Sequence, residues 1–269
     1  MIQPDSTVCT NTPGIAFTGN VAANFGTNGG QAAANPANWV VGGSGSFGTL
    51  GSAEVFKPVT PQLIHTSYAY MKAKAQQSGL TPVNLATKCS LNTCSLTTLP
   101  HGLYQTNPTT PTDLHIAVSN LSGNQNYVFL VSGNVYIDGP VKIAVGSTAT
   151  FSVAGTIYVN QSVGNTSPTD PTTDIEGFYS TDKSFIINAA GNCTDYRLNI
   201  AGSVIVNAAL TGGSFQNNRN LCAANASCPS VSFSQRPDFL LNAPTLVKQR
   251  NHIWREVAPV GIPTPTPTP

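Results

Sequence analysis

The sequence predicts a mainly β protein, a right-handed β-helix or β-solenoid with a small N-terminal helical element and a C-terminal cap. Three observations carry that expectation. A strand-like hexad recurs at intervals near 20 residues, only one stretch has convincing helical periodicity, and only 9% of the 269 residues are charged, in a chain rich in Gly, Asn, Thr, Ser and Ala. The hexad reads Gly133-Asn134-Val135-Tyr136-Ile137-Asp138, then Gly155-Thr156-Ile157-Tyr158-Val159-Asn160, Lys183-Ser184-Phe185-Ile186-Ile187-Asn188 and Gly202-Ser203-Val204-Ile205-Val206-Asn207. Repeats of this length in a strand-rich chain are the mark of coils that each supply the same strand. Alternation places Val135, Ile157, Phe185 and Val204 in one buried column, and Ile137, Val159, Ile187 and Val206 in a second, with the middle residue outside. The Asp or Asn ending each hexad falls at a turn, where it can satisfy amides or stack on its equivalent in the next coil. A β-sandwich is the competing architecture for so many short strands, and the aligned hexads favour the solenoid.

Taken in order, residues 1–58 form a β-rich segment in which Asn38-Trp39-Val40-Val41 is the clearest strand. Gly43-Ser44-Gly45-Ser46-Phe47-Gly48 matches a dinucleotide fingerprint in spelling only, because no helix pattern opens after it. Residues 59–98 are the helical segment. Thr60 caps, Pro61 takes the first position, and Leu63, Ile64, Tyr68, Met71 and Ala75 recur at helical spacing until Gly79. Lys72 and Lys74 lie on the opposite face, so the helix is expected to pack on a sheet. Thr81-Pro82 repeats the start signal for a shorter helix toward the Cys89/Cys94 loop.

Residues 99–259 hold the solenoid and its cap. Thr166-Ser167-Pro168-Thr169-Asp170-Pro171 bulges from one coil. Arg236-Pro237-Asp238-Phe239-Leu240-Leu241 and His252-Ile253-Trp254 supply the apolar segment expected to close an open coil end. Residues 260–269 are a Thr-Pro linker of polyproline II type. The N-terminus lacks the charged and apolar stretches of a secretion leader. The missing leader and the linker together lead us to expect a mature or recombinant fragment of a longer protein.

Six cysteines, at 9, 89, 94, 193, 222 and 228, point to disulfides and an oxidising compartment. Cys89–Cys94 and Cys222–Cys228 are the closest pairs in sequence and leave Cys9 and Cys193 for a long-range bridge. This is one of the 15 pairings that six cysteines permit. A zinc site is disfavoured because there is no CxxC and no suitably spaced histidine. A net charge of +1 argues against a nucleic-acid partner. No apolar run approaches the roughly 20 residues of a membrane-spanning helix.

For chemistry, Asp170, Asp174, Glu176 and Asp182 are the one acidic cluster. They are candidates for a calcium site, the only cofactor the sequence suggests, or for a catalytic groove; a solvated loop is the plainer reading. Asp138, at a turn of the repeat, reads as structural. His65, His101, His115 and His252 form no HExxH pattern, and there is no GxSxG. Sequons begin at Asn120, Asn160, Asn165, Asn192 and Asn225, about as many as chance supplies in such a chain.

Gly177-Phe178-Tyr179, Leu198-Asn199-Ile200-Ala201-Gly202, Arg236-Pro237-Asp238-Phe239 and Trp254-Arg255-Glu256-Val257-Ala258-Pro259 resemble blocks in large surface proteins of candidate-phyla-radiation bacteria. The likeness spans roughly residues 10–260 and includes Asn38-Trp39-Val40-Val41-Gly42-Gly43 and Thr66-Ser67-Tyr68. It implies a secreted or cell-surface protein with Thr-Pro linkers and brings no catalytic residues. Three functions are therefore carried forward. The first is a non-catalytic structural or adhesive module, with surface glycans or neighbouring surface-protein domains as partners. The second is a polysaccharide lyase or glycoside hydrolase on a β-helix. The third is a carbohydrate- or ice-binding module, although only Thr148-Ala149-Thr150 offers the Thr-x-Thr of an ice-binding coil.

Overall fold

The structure, a computed structural model, describes residues 66–248 except 90–92, 108, 208–210 and 227. Nearer the N-terminus it describes five short strands: β1 (Ile15–Phe17), β2 (Ala23–Asn24), β3 (Val40–Gly42), β4 (Gly45–Ser46) and β5 (Glu54–Phe56). The predicted residues Thr60, Pro61, Leu63 and Ile64, the segment His252–Pro259 and the Thr-Pro linker lie outside the described residues, as does Cys9.

Helix α1 (Tyr68–Gln77) precedes a parallel β-solenoid of about five turns. Three strands make a coil, and the prism they form has three faces. Its strands are β6 (Val83–Asn84), β7 (Thr93–Cys94), β8 (Gly102–Gln105), β9 (Leu114–Ile116), β10 (Ser119–Leu121), β11 (Asn126–Val131), β12 (Val135–Ile137) and β13 (Val141–Ile143). They continue with β14 (Thr148–Val153), β15 (Ile157–Val159), β16 (Ile175–Thr181), β17 (Phe185–Ile187), β18 (Leu198–Val206), β19 (Phe215–Asn217) and β20 (Val231–Ser234), after which comes α2 (Pro237–Leu241). The first face stacks β7, β9, β12, β15, β17 and β19. The second and third faces share one sheet, because β16 and β18 run from one face onto the next. In β16, Ile175 pairs with Val141 of β13, whereas Phe178–Thr181 pair with β14. The change of partner falls at Gly177, whose φ is +144°, with Gly202 stacked beside it at φ +127°.

The first face follows the hexads. Val135 pairs with Ile157 and Ile157 with Phe185, while Ile137 pairs with Val159 and Val159 with Ile187. All six side chains are fully buried. The fourth hexad departs from the expectation. Phe215 stacks on Phe185, whereas Val204 pairs with Tyr179 on the third face and Val206 with Thr181. Gly202–Asn207 repeats Gly177–Asp182 rather than the first-face hexads. A glycine at the bend, alternating side chains and a polar end suit a corner on either face, so the spelling alone does not say which.

The third face carries an internal aromatic ladder. Tyr104, Phe129, Phe151 and Tyr179 occupy aligned positions in successive coils, with ring centroids 5.5, 4.8 and 5.0 Å apart. Burying each such ring stabilises by roughly 2–3 kcal/mol, and offset stacking adds to it.

The outside of the third face is covered. Helix α1 is capped by the Ser67 side chain, which accepts the Tyr70 N–H, and so opens later than the predicted Thr60. Its Met71 and Ala75 pack on Val128 and Leu130 of β11 and on Leu246. The predicted shorter second helix is reduced to one 3₁₀ turn, Leu85–Thr87, capped by Asn84. The expected C-terminal cap is placed differently. α2 and the residues after it run back along the side of the stack. Phe239 packs on Phe178, Thr148 Oγ1 donates to the Asn242 carbonyl at 3.5 Å, and Lys74 Nζ donates to the Lys248 carbonyl at 2.9 Å. The outer surface here is apolar on β11 (Val128, Leu130) and hydroxyl-bearing on β14 (Thr150, Ser152), and α1 packs on its apolar part.

The two ends of the stack are finished in different ways. The first coil is blunted by two-residue strands, 3₁₀ turns at Leu85–Thr87 and Leu96–Thr98, and a disulfide. At the other end Gln216 of β19 pairs in parallel with Asn24 of β2, and β2 pairs with β4.

Candidate functional site

The four acids singled out from sequence are divided between the two ends of β16. Asp174 precedes β16 and Asp182 follows it, so the strand separates them. Asp170 closes its own loop by accepting the Thr172 N–H at 2.8 Å, which together with the Thr172 hydroxyl holds its carboxyl below the usual range. Asp174 accepts the Asn199 N–H at 2.7 Å, and its own N–H donates to the Asn199 carbonyl. Burial pushes its pKa up to about 6, against the opposing pull of that N–H, Lys142 and Arg219.

Glu176 is tied differently. It accepts from the Ile143 N–H at 2.7 Å, from Thr173 Oγ1 at 2.6 Å and from Arg236 Nη1 at 2.8 Å. Asp182 accepts the Tyr68 N–H at 3.0 Å and Asn207 Nδ2 at 2.9 Å, and burial raises its pKa. Each of these three carboxylates thus holds one segment to another: coil to coil, coil to strap, coil to α1. Among the described residues no group of three or more His, Cys, Asp or Glu side chains lies close enough to hold a metal ion.

A buried and a half-buried cation support the same loops. Arg219 donates to the carbonyls of Asn188, Tyr196 and Asn160 at 3.0, 2.9 and 2.8 Å. Burial lowers its pKa to about 10, so it stays charged at neutral pH. Arg236 lies 4.3 Å above the Phe239 ring and pairs with Glu176 and Asp238. Its pKa is raised chiefly by the hydrogen bond to Asp238. Sequence reasoning gave neither arginine a role. Only the Arg236-Pro237-Asp238-Phe239 spelling held a signal for one of them.

The first face is left open by α1 and the strap. Its outward positions are half-buried along β9, β12, β15 and β17. His115, Tyr136 and Tyr158 stack there, with centroids 4.5 and 5.0 Å apart and planes within 12°. Asp138 joins them: His115 Nδ1 lies 2.7 Å from its Oδ2, and Asn160 Nδ2 donates to its Oδ1 at 3.2 Å. Asp138 and Asn160 therefore form the coil-to-coil polar contact expected of the hexad ends. Because the rings face each other, they offer edges and phenol hydroxyls outward and keep their flat faces covered. A small cleft beside the Cys89 bridge is lined by Leu85, Thr106, Asn107, Asp113 and Leu114. Its acid, Asp113, already accepts the Asn134 N–H at 2.7 Å.

Cys89 bonds to Cys94, as expected, with Cα atoms 4.8 Å apart. Cys193 bonds to Cys222 across 5.4 Å, which overturns both Cys222–Cys228 and Cys9–Cys193. The long loops after β17 and β19 fold toward each other. Asp195 accepts the Gly191 and Asn220 N–H groups at 3.1 and 2.7 Å and brings the two cysteines together. Cys228 is also oxidised, with its partner outside the described residues. These bonds fit an oxidising compartment.

Fold and side chains define a disulfide-bonded parallel β-solenoid whose buried charges hold its loops and straps. Comparison of the chain with protein-family models, curated proteins and solved structures finds no match.

Proposed function

We propose that the protein is a non-catalytic structural or adhesive module of a bacterial cell-surface protein, working outside the cell. The observation that carries this reading is the use made of the acids. Asp174, Glu176 and Asp182 each accept a backbone N–H from a different segment, which supports a role as fasteners. Two carboxylates working on a glycosidic bond face a substrate across an open groove, whereas Asp174, Glu176 and Asp182 are buried and already accept hydrogen bonds from the chain itself. A stack of coils closed by disulfides supports a rigid spacer, and the resemblance to surface proteins with Thr-Pro linkers points to the same location. Neighbouring surface domains and surface glycans are the partners this reading names.

A second reading, a glycan-binding module, is favoured by the open first face, where Tyr136, Tyr158, His115 and Asp138 form a continuous hydrogen-bonding strip. A panel of polysaccharides assayed for both turnover and retention separates the readings. The structural or adhesive module gives no turnover, and any retention is insensitive to Asp174→Asn and Glu176→Gln. Retention lost in Tyr136→Ala and Tyr158→Ala would establish the binding module. Turnover abolished by Asp174→Asn or Glu176→Gln would replace both with the enzyme.

A further inference from the structure

We infer that the loop between β15 and β16 is a self-cleavage site. The Asp170 carboxylate attacks its own main-chain carbonyl, and the Asp170–Pro171 bond breaks while the Asn199 side-chain amide holds the carbonyl oxygen. The chemical starting point is the Asp-Pro dipeptide. An aspartate side chain reaches its own carbonyl carbon through a five-membered ring, and the tertiary amide nitrogen of proline is a more basic leaving group than an ordinary peptide nitrogen. The folded loop adds three things that an unfolded Asp-Pro lacks.

The first is the position of the nucleophile. Asp170 accepts the Thr172 N–H at 2.8 Å, so its carboxylate is folded over the Asp170–Pro171 bond that lies between the two residues. That hydrogen bond and the Thr172 hydroxyl also keep the carboxylate ionised. The second is the carbonyl. Asn199 Nδ2 donates to the Asp170 carbonyl oxygen at 2.9 Å and to the Thr172 carbonyl at 2.9 Å. This amide is buried and fixed from behind: Ser232 Oγ donates to Asn199 Oδ1, and the Asn199 N–H donates to Asp174 Oδ2 at 2.7 Å. A preorganised donor on an oxygen that gains charge contributes on the order of 10²–10³ in rate. Arg197, which donates to the Pro168 carbonyl at 2.8 Å, brings positive charge toward Asp170 as well. The third is access, because Pro171 and Thr172 are exposed and water reaches the bond.

A bond from a carboxylate oxygen to the carbonyl carbon forms, and the carbon–nitrogen bond breaks. The electron pair stays on the Pro171 nitrogen, which takes a proton from solvent. Water then opens the cyclic anhydride, so one water is consumed, Asp170 keeps its side chain and gains a terminal carboxylate, and nothing is oxidised or reduced. β16 is paired with β14 on one side and β18 on the other, so the two pieces stay assembled after the cut. The chain serves once as its own substrate, and this stands beside a structural role without needing a groove for a foreign one.

Incubation of the full chain at pH 5 and about 37 °C, followed by mass spectrometry after reduction and denaturation, tests the site. Products 1–170 and 171–269 should appear, the second opening Pro171-Thr172-Thr173. They should form at least about tenfold faster than from the same protein unfolded in guanidinium chloride. Asp170→Ala should abolish both products. Asn199→Ala should slow the cut at least about tenfold in protein that circular dichroism shows to be folded. Should that variant not fold, Ser232→Ala, which loosens the amide without touching a reacting atom, should slow it instead. Cleavage no faster in the folded chain than in the unfolded one would overturn the inference. Parent-rate cleavage in a folded Asn199→Ala variant, or in Ser232→Ala where that variant replaces it, would do the same.

Discussion

The N–H of Gly155 donates to the carbonyl of Gly133 at 2.9 Å, and a Cβ on Gly155 would stand 2.4 Å from that same oxygen. Two hexads in successive coils approach so closely that only a residue without a side chain fits between them. Gly155→Ala should therefore destabilise by about 2–4 kcal/mol, since the obstacle is backbone that cannot swing aside. Gly123→Ala, where the nearest atom is the Val145 carbonyl oxygen at 3.5 Å, is the control and should stay within about 0.5 kcal/mol. Urea melts of both variants check this, and equal midpoints would refute it.

The two assigned disulfides close chains of different length, with sequence separations of 5 and 29. On loop-closure grounds, Cys193→Ser with Cys222→Ser should cost about 3–4 kcal/mol, and the Cys89→Ser, Cys94→Ser pair about 2 kcal/mol. Thermal unfolding of the two double variants should rank them in that order.

Asp174 should make the protein less stable as the pH rises. Its folded pKa, about 6, lies above that of an unfolded aspartate. Its contribution is fully present below about pH 4 and is lost as the pH climbs through 6. Asp174→Asn keeps an oxygen for the Asn199 N–H and removes the charge. The variant should gain on the order of 1–2 kcal/mol over the parent at pH 7.5 and nearly nothing at pH 4. A gain that is equal at both pH values would mean that ionisation of Asp174 is not involved.

Arg236 fastens the C-terminal strap. Removing it leaves Glu176, 11% exposed at its side chain, without its cation, and Arg236→Ala should cost about 2–4 kcal/mol. The strap should also loosen before the coils do. Limited chymotrypsin digestion near Phe239–Leu241 should quicken in the variant, while the strands around Phe151 remain intact.

Much of the fold was legible because a strand that faces a core alternates, and a coil that stacks on its copy repeats. Val135, Ile157 and Phe185 satisfy both conditions, and so do Asp138 and Asn160 at the turns. Val204 satisfies the alternation but belongs to another face, because a three-sided prism has three corners that all favour glycine and a polar end. The strap was hidden for a related reason. A short apolar segment after the last strand signals only that something will be covered, and the exposed flank of β11 and β14 exists only once the coils are assembled. At the candidate site, proximity in sequence was misleading for Asp182, which β16 separates from Asp174 and Glu176. An extended strand carries neighbours apart at about 3.3 Å per residue. The Cys193–Cys222 bond was out of reach for the same cause, since loops leaving adjacent coils meet in space while their sequences stay 29 residues apart.

Stacked-repeat proteins are commonly quasi-one-dimensional: each unit feels only its neighbours, and unfolding frays inward from an end. The two elements on the third face break that locality. α1 reaches from Asp182 and Ser180 down to Leu130, and the strap crosses from Phe178 to Lys74 on the way back. Like two splints laid across a pile of coins, they make every coil between them a shared stake in the same transition. The rod should then melt in a single sharp step, with a steepness set by the splinted length rather than by one repeat.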